Sequence, residues 1–393
     1  MTRLTHEWIP DRHLGVAATL SHADDLIGQI GDLLFDYQTQ ADGVVTLREL
    51  PTGSVSRTEV VRVAPIPRKV SLLVADALVA LRAALEHALF AEVDFVEGGQ
   101  LDERAAKLVE VPASDTYTNF EKWVRKRAKN GPPSLRAGSE LVRRIQGLQP
   151  FQRTSEPSIH PLARLTLHTN HAKHRTPAIT AVRLVAMYRD DQLPRSVRDL
   201  PARPEEPIRV GDVIAETPLG TEVPVTLFPS VGINRPGTDR WPVLMTELDE
   251  ISWWVRTQAV PRLITGGDPP EPALPTRYEI SVGQEDERAA IASGSKISAP
   301  ERHKQRLGAA TSRPGLVGLI GQIEGAPSVA DITAWAEQLT DEEVLERMSR
   351  LRMTFTYQPE MLLRNAEVVA GLRDEVQAFS FDTDSVDLDH PIA

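Results

Sequence analysis

The stretch VSLLVADALVALRAALEHALFAEV, residues 70–93, decides the fold of this chain. Within it, Leu78, Leu81, Leu85 and Leu89 recur at the spacing of one side of an α-helix. Apolar or small residues fill most other positions, so we expect burial on more than one face, as in the central helix of a bundle. Because each residue turns the helix by about 100°, the opposite side carries Asp76, Ala80, Ala83 and His87.

This helix also contains ionisable groups, and burial would require each of them to have a partner. Four of them are Asp76, Arg82, Glu86 and His87. One interpretation is a buried polar site formed by Asp76, His87, Asn170 and His174. The other is a satisfied core network, which sets the register of helices without performing chemistry.

Composition indicates a folded protein with an ordinary surface. The chain has 393 residues, enough for two domains, and is 41% hydrophobic and 25% charged. It lacks cysteine, which excludes disulfides and thiolate chemistry. The first residues are polar, so we expect no signal peptide, and the longest apolar run is too rich in ionisable groups to cross a membrane. A soluble cytoplasmic protein is the expectation.

The charge of the chain is unevenly distributed. Residues 121–175 contain twelve Lys or Arg and three Glu, a net charge of +9, within a chain whose net charge is −11. The other residues therefore carry −20. An acidic protein with one basic segment is not expected to coat nucleic acid non-specifically. The basic segment could, however, bind one phosphate-rich ligand.

The chain is predicted to be mainly α-helical, with a bundle over residues 1–265. Alternating β-prone residues predict a β-hairpin at 44–64 and a small β insertion at 210–233. Residues 266–275, rich in Gly and Pro, are predicted to be a linker. Residues 276–393 are predicted to form a smaller, mostly helical region that ends in an acidic tail.

A helix with clear limits is predicted between Pro161 and the Thr-Pro pair that follows residue 175. On it, Asn170 and His174 share a face with apolar neighbours, which we expect to contact the central helix. His168 and His171 are spaced like metal ligands, but this helix offers no acidic third ligand and is rich in positive charge. We therefore predict no metal site and no cofactor.

Arg82 and His87 follow the pattern Arg-x4-His. A guanidinium can hold a scissile phosphate while an imidazole transfers a proton to or from the ribose, and this chemistry needs no metal. A structural alternative is an i,i+4 salt bridge between Arg82 and Glu86, which leaves His87 about 140° away around the helix.

Three segments resemble a family of uncharacterised bacterial helical proteins. They are DALVALRAALEH (76–87), IQGLQPF (145–151) and HPLARLTLHTNHAKHR (160–175). Members of that family share the pattern D-A-L-x-x-L-R-x-A-L-D/E-H, then Q-P-Y/F, then N-x-x-K-H-R. The resemblance covers about the first two-thirds of the chain and implies a helical architecture, without a firm activity.

The Arg-x4-His helix also resembles the motif of HEPN domains, helical bundles of RNA-cleaving prokaryotic toxins and defence nucleases. This resemblance implies that Arg82 contacts phosphate, that His87 transfers a proton and that a homodimer builds a composite site. Ala83 stands where that motif usually has a polar residue.

The leading hypothesis is therefore an HEPN-like RNA-binding protein. Cleavage of the RNA, as a metal-independent endoribonuclease of a toxin or defence type, and a neutralising or other partner protein extend this hypothesis. The side chains expected to bind the RNA are Asp76, Asn170, Lys173, His174 and Arg175. Two alternatives stay open. One is a non-enzymatic interaction protein whose motif residues form a core network, and the other is an enzyme acting on a small phosphorylated ligand.

Overall fold

A computed structural model of the chain describes residues 6–99, 101–189, 200–201, 203–221, 223–352 and 358–386, with side chains up to 379. It is mainly helical with small antiparallel sheets that include a β-hairpin, as predicted. Within these ranges, each helix is too short or too polar to span a lipid bilayer. The chain divides into two compact units.

The first unit contains residues 1–185, 203–221 and 228–301. Its helices are α1 (Leu14–Gln38), α2 (Arg68–Val96), α3 (Glu103–Ala106), α4 (Tyr117–Asn130), α5 (Glu140–Gly147), α6 (Pro161–His174), α7 (Leu244–Trp254), α8 (Val260–Thr265) and α9 (Glu287–Ala292). The strands of the protein are β1 (Val45–Thr52), β2 (Val55–Val63), β3 (Thr180–Arg189), β4 (Val213–Pro218) and β5 (Val225–Ile233).

Helix α2 is central, as the leucine spacing predicts, and it packs against α1, α6 and α8. Leu78, Leu81, Leu85 and Leu89 are each at most 1% exposed. Each fully buried leucine contributes about 1.5–3 kcal/mol to folding. The opposite side of α2 is not buried: Leu72, Asp76, His87 and Phe90 are exposed there.

The hairpin of β1 and β2 forms at the predicted place, and β4 adds a third antiparallel strand next to β2. Gly53, in the turn between β1 and β2, has φ of 62°, a left-handed conformation that glycine adopts without strain. The predicted β insertion at 210–233 contains β4 and β5, but β5 pairs with β3 in a separate sheet.

Residues 276–301 belong to the first unit, although the sequence suggests a boundary at 266–275. The backbone N–H of Tyr278 donates to the Ser21 hydroxyl, and that hydroxyl donates to the Tyr278 carbonyl. Ile291 and Ala299 are buried in the same core as α2. Apolar side chains beyond the Gly/Pro-rich segment thus complete the first core.

The second unit contains residues 186–202, 222–227 and 302–393. Its helices are the larger part of α10 (Ala299–Gly321), α11 (Val329–Gln338), α12 (Asp341–Arg350) and α13 (Pro359–Val386). A core of its own includes Leu316, Trp335 and Leu372. Ser328 and Thr340 cap α11 and α12, each accepting from a backbone N–H in the first turn. Most of the acidic tail lies outside the described residues.

Candidate functional site

Arg82 is held by several groups inside the first unit. Its guanidinium forms a salt bridge of 2.5 Å with Glu86 and donates to the Thr166 hydroxyl at 3.1 Å and to the Val111 carbonyl. Glu86 in turn accepts from the Val111 N–H at 2.9 Å. Burial raises the pKa of Glu86, and the charge of Arg82 opposes that rise. The i,i+4 salt bridge is therefore present within α2. Both of its residues also bond the backbone of Val111, and Arg82 bonds Thr166 of α6.

His87 has a different environment from Arg82. Its side chain is exposed and has no recorded hydrogen bond or ion pair to any described residue. An ideal helix places it about 140° around the axis from Arg82. A single chain therefore does not bring the two motif residues together, and their catalytic roles stay a prediction.

The predicted buried polar site does not form. Every side chain expected in it is exposed: Asp76, His87, Asn170 and His174. The expectation that Asn170 and His174 face the central helix is wrong, because α6 buries the side that carries Leu165 and Thr169. The other two predicted RNA contacts, Lys173 and Arg175, are also exposed.

Helix α4 presents a face of unpaired positive charge. Lys122, Arg125, Lys126 and Lys129 are exposed and recur at i, i+3, i+4 and i+7, so they share one side of the helix. None of the four has a recorded ion pair with a described residue. We call these four residues the α4 basic face.

Arg127, within the same run of cations, is a structural residue. It is 2% exposed, and it donates to the carbonyls of Leu108 and Trp123 and to Glu110 at 2.8–3.0 Å. Its guanidinium also lies 3.9 Å from the centre of the Trp123 ring. One cation of the run therefore stabilises the first unit, whereas the α4 basic face is available to a ligand.

A cavity of about 770 Å³ lies at the C-terminal end of α4, and we call it the α4-end cavity. Its cationic lining residues are Arg104, Lys129 and Arg136. Among the described residues, Arg104 and Lys129 have no hydrogen-bond or ion-pair partner. Arg136 makes one long hydrogen bond of 3.4 Å to the Gly131 carbonyl. Lys129 belongs both to this cavity and to the α4 basic face.

The two carboxylates of the α4-end cavity are already hydrogen-bonded to the backbone. Glu97 accepts from the Ser134 N–H at 2.8 Å. Asp102 caps α3 by accepting from the Ala105 N–H at 2.7 Å. Sequence reasoning missed this cavity because its cations come from three separate segments and form no motif.

A second missed feature is a buried ionic cluster around Glu247 of α7. Glu247 is 1% exposed, and Arg164 of α6 donates to it at 2.6 Å. Arg235 donates twice to the same carboxylate, at 2.7 and 3.0 Å. His168, one turn after Arg164, lies 3.4 Å away, and Arg164 also contacts Glu250 at 2.7 Å. The i,i+4 spacing of Arg164 and His168 places both on one side of α6, but it does not identify Glu247 as their partner.

The charges around Glu247 determine its ionisation. Burial by itself would raise its pKa, but hydrogen bonds from His168 and Arg235, together with the charges of Arg164 and Arg235, lower the pKa of Glu247 to about 2. Glu247 is therefore ionised throughout the neutral range and is poorly matched to proton transfer there. The cluster is best described as a structural connection between α6, α7 and the loop of Arg235.

Next to the Glu247 cluster lies a cavity of about 490 Å³ whose wall includes Trp253 and Trp254. Trp253 is 52% exposed and Trp254 is 9% exposed, because adjacent helical residues point to different sides. His160 packs edge-on against Trp254, with ring centres 5.0 Å apart. Burial, with the nearby charges of Arg153 and Arg164, lowers the pKa of His160 to about 4, so this imidazole is neutral at pH 7.

Another buried carboxylate, Glu92, lies near the end of α2 and was not among the ionisable groups considered from the sequence. It is 4% exposed and contacts Arg12 at 2.7 Å, His13 at 2.6 Å and Arg144 at 3.4 Å. Burial opposes its ionisation, but hydrogen bonds from His13 and Arg12 lower the pKa of Glu92 below its usual value. Like Glu247, it connects separate elements of the first unit.

Within the described ranges, His, Asp and Glu side chains form no group of three or more that could hold a metal ion. Comparison of the chain with protein-family models, curated proteins and solved structures gave no match. The fold and its surfaces define a mainly helical protein with an exposed cationic face. Its function must therefore be argued from its own geometry.

Proposed function

We propose that the protein binds RNA and contacts the phosphate backbone through the α4 basic face. The observation that carries this proposal is four exposed cations, without ion-pair partners among the described residues, on one side of a helix in a chain of net charge −11. The acidic remainder repels a polyanion, so binding should concentrate at this face. RNA is the polyanion that the HEPN resemblance of α2 implies.

Neutralising the α4 basic face is expected to weaken RNA binding more than tenfold. In the variant Lys122→Gln/Arg125→Gln/Lys126→Gln, three phosphate contacts are lost while Lys129 is retained. The slope of log affinity against log salt should fall by about 2, since each contact to a single strand contributes about 0.7. Fluorescence anisotropy with a labelled single-stranded RNA, titrated at several salt concentrations, measures both quantities.

The matched control is Lys107→Gln/Arg143→Gln, which removes exposed cations that already have partners in Glu103 and Glu140. This control should bind RNA like the wild type. Equal affinities of the wild type and the α4 variant, or no binding by either, would show that the proposal is wrong. A DNA strand of the same sequence tests the preference for RNA.

Metal-independent RNA cleavage by His87 is a second proposal. It is supported by the exposure of His87 and by the absence of a recorded partner for its imidazole in the described part of the chain. Because an ideal helix places His87 about 140° around the axis from Arg82, the composite site in this proposal requires a homodimer. A neutralising partner protein also belongs to this proposal and not to the simpler RNA-binding one.

His87→Ala is expected to abolish cleavage of mixed RNA in EDTA and to leave the melting temperature unchanged, because the side chain is exposed. The matched control is His22→Ala, which removes an exposed histidine from α1. Cleavage should be measured on gels and melting by circular dichroism for all three proteins. If the wild type does not cleave RNA, the nuclease proposal is wrong.

A further inference from the structure

We propose that the α4-end cavity binds a phosphomonoester, and that its ligand is the terminal phosphate of an RNA lying on the α4 basic face. The assignment to RNA rests on the proposed function, whereas the assignment to a phosphomonoester rests on the cavity alone. Lys129 is the physical link, because it belongs to both surfaces.

The charges of the α4-end cavity favour an anion. Arg104, Lys129 and Arg136 outnumber the two carboxylates, and both carboxylates accept hydrogen bonds from backbone N–H groups. Asn130 adds an exposed side-chain amide, without a recorded hydrogen bond to a described residue, as a neutral donor. Guanidinium groups suit phosphate oxygens because their N–H groups can bind two oxygens at once.

A chain end matches this cavity better than an internal phosphate does. A terminal phosphomonoester carries about 1.5–2 negative charges at pH 7, whereas a backbone diester carries one. The cavity, in which three cations exceed two carboxylates by one charge, therefore gains more from the terminal group. Residues 122 to 129 extend over about 10 Å of helix, so an RNA strand on the α4 basic face has its end within reach of the cavity.

The cavity also has room for more than the phosphate itself. Its volume of about 770 Å³ lies within the range of about 300–1,000 Å³ that is typical of small-molecule sites. Leu101 and Leu108 contribute apolar surface beside the cations. A terminal nucleotide can therefore enter with its phosphate near Arg104 and Arg136 and its sugar or base against the leucines.

The test compares one RNA sequence with a 5′-phosphate, with a 3′-phosphate or with hydroxyl groups at both ends. A terminal phosphate is expected to tighten binding at least tenfold at pH 7.5. Arg104→Gln/Arg136→Gln should remove this gain and leave the affinity for the hydroxyl-ended RNA unchanged. Lys107→Gln/Arg143→Gln, the matched control, should retain the gain. Both variants change exposed side chains, and circular dichroism melting verifies their folding.

The pH dependence provides an independent readout. The second pKa of a phosphomonoester is about 6, so the gain should shrink as the pH falls from 7.5 to 5.5, while binding of the hydroxyl-ended RNA changes less. Inorganic phosphate and AMP serve as competitors. Competition that removes only the gain indicates that the cavity accepts a free phosphate or nucleotide as well as an RNA end.

The outcomes separate this inference from the proposed function. If hydroxyl-ended RNA binds and a terminal phosphate adds nothing, the cavity proposal is overturned and the RNA-binding proposal stands. If RNA does not bind, but AMP or phosphate raises the melting temperature of the wild type and not of Arg104→Gln/Arg136→Gln, the cavity is a site for small phosphates and the RNA assignment is overturned.

Discussion

Replacing Glu247 by alanine is expected to lower the free energy of unfolding by about 3–5 kcal/mol. The substitution leaves Arg164, which is 4% exposed, and the largely buried Arg235 without their shared carboxylate. A buried charge that loses its partner costs far more than an exposed one. Because a domain is typically stable by only about 5–15 kcal/mol, urea unfolding should show a large shift of the midpoint.

Two further variants test whether the loss of stability comes from the buried charge of Glu247. Glu247→Gln keeps the shape and one acceptor oxygen but removes the charge, so its loss should be smaller than that of Glu247→Ala. Glu216→Ala removes a carboxylate from an exposed pair with Arg57 and should change stability little. If Glu247→Ala costs no more than Glu216→Ala, the ionic cluster does not stabilise the first unit.

Local patterns in the sequence were sufficient to predict the main elements of the fold. The leucine spacing of α2 identifies its buried side, and Ser328 and Thr340 identify the starts of α11 and α12. The β-hairpin follows from two β-prone runs around a turn. Each of these features depends on residues close together in the chain, so its physical cause can be read directly from the sequence.

The orientation of α6 could not be predicted in the same way. Apolar neighbours suggested that Asn170 and His174 face the core, but the buried side of α6 instead carries Arg164 and His168. Their burial depends on Glu247, which comes about 80 residues later in the chain. A charged side chain can be buried where a partner of opposite charge is buried beside it. The pattern along one helix does not reveal a partner on another helix.

The sequence indicates only part of the candidate binding surface, because contacts between distant residues decide which of its cations are exposed. The basic segment at 121–175 is evident from composition, but its cations have different roles. Arg127 is buried because Glu110 and Trp123 surround it, whereas Lys126, its neighbour, is exposed. The α4-end cavity combines Lys129 with Arg104 and Arg136, which the fold brings together. Tertiary contacts therefore decide which charges are available to a ligand.

Acidification is expected to reduce the stability of the wild type more steeply than that of Glu247→Gln. Because the pKa of Glu247 is about 2 in the folded state and about 4.5 in the unfolded chain, its ionised form stabilises the fold above pH 4.5. This contribution, about 3 kcal/mol, is lost as the pH falls from about 4.5 towards 2, because the unfolded chain takes up the proton first. Glutamine has no proton to bind, so the variant lacks this dependence.

The measurable quantity is the difference in unfolding free energy between the wild type and Glu247→Gln. Below about pH 5.5 it should shrink, with a slope that approaches about 1.4 kcal/mol per pH unit below pH 4.5. Glu92 also has a lowered pKa, but it is present in both proteins and cancels from the difference. Urea unfolding of both proteins at pH 7.0, 5.5, 4.5, 4.0 and 3.5 measures how this difference in unfolding free energy changes with pH. A difference that stays constant down to pH 3.5 would show that the arginines around Glu247 do not hold its pKa near 2, and that its charge does not stabilise the fold.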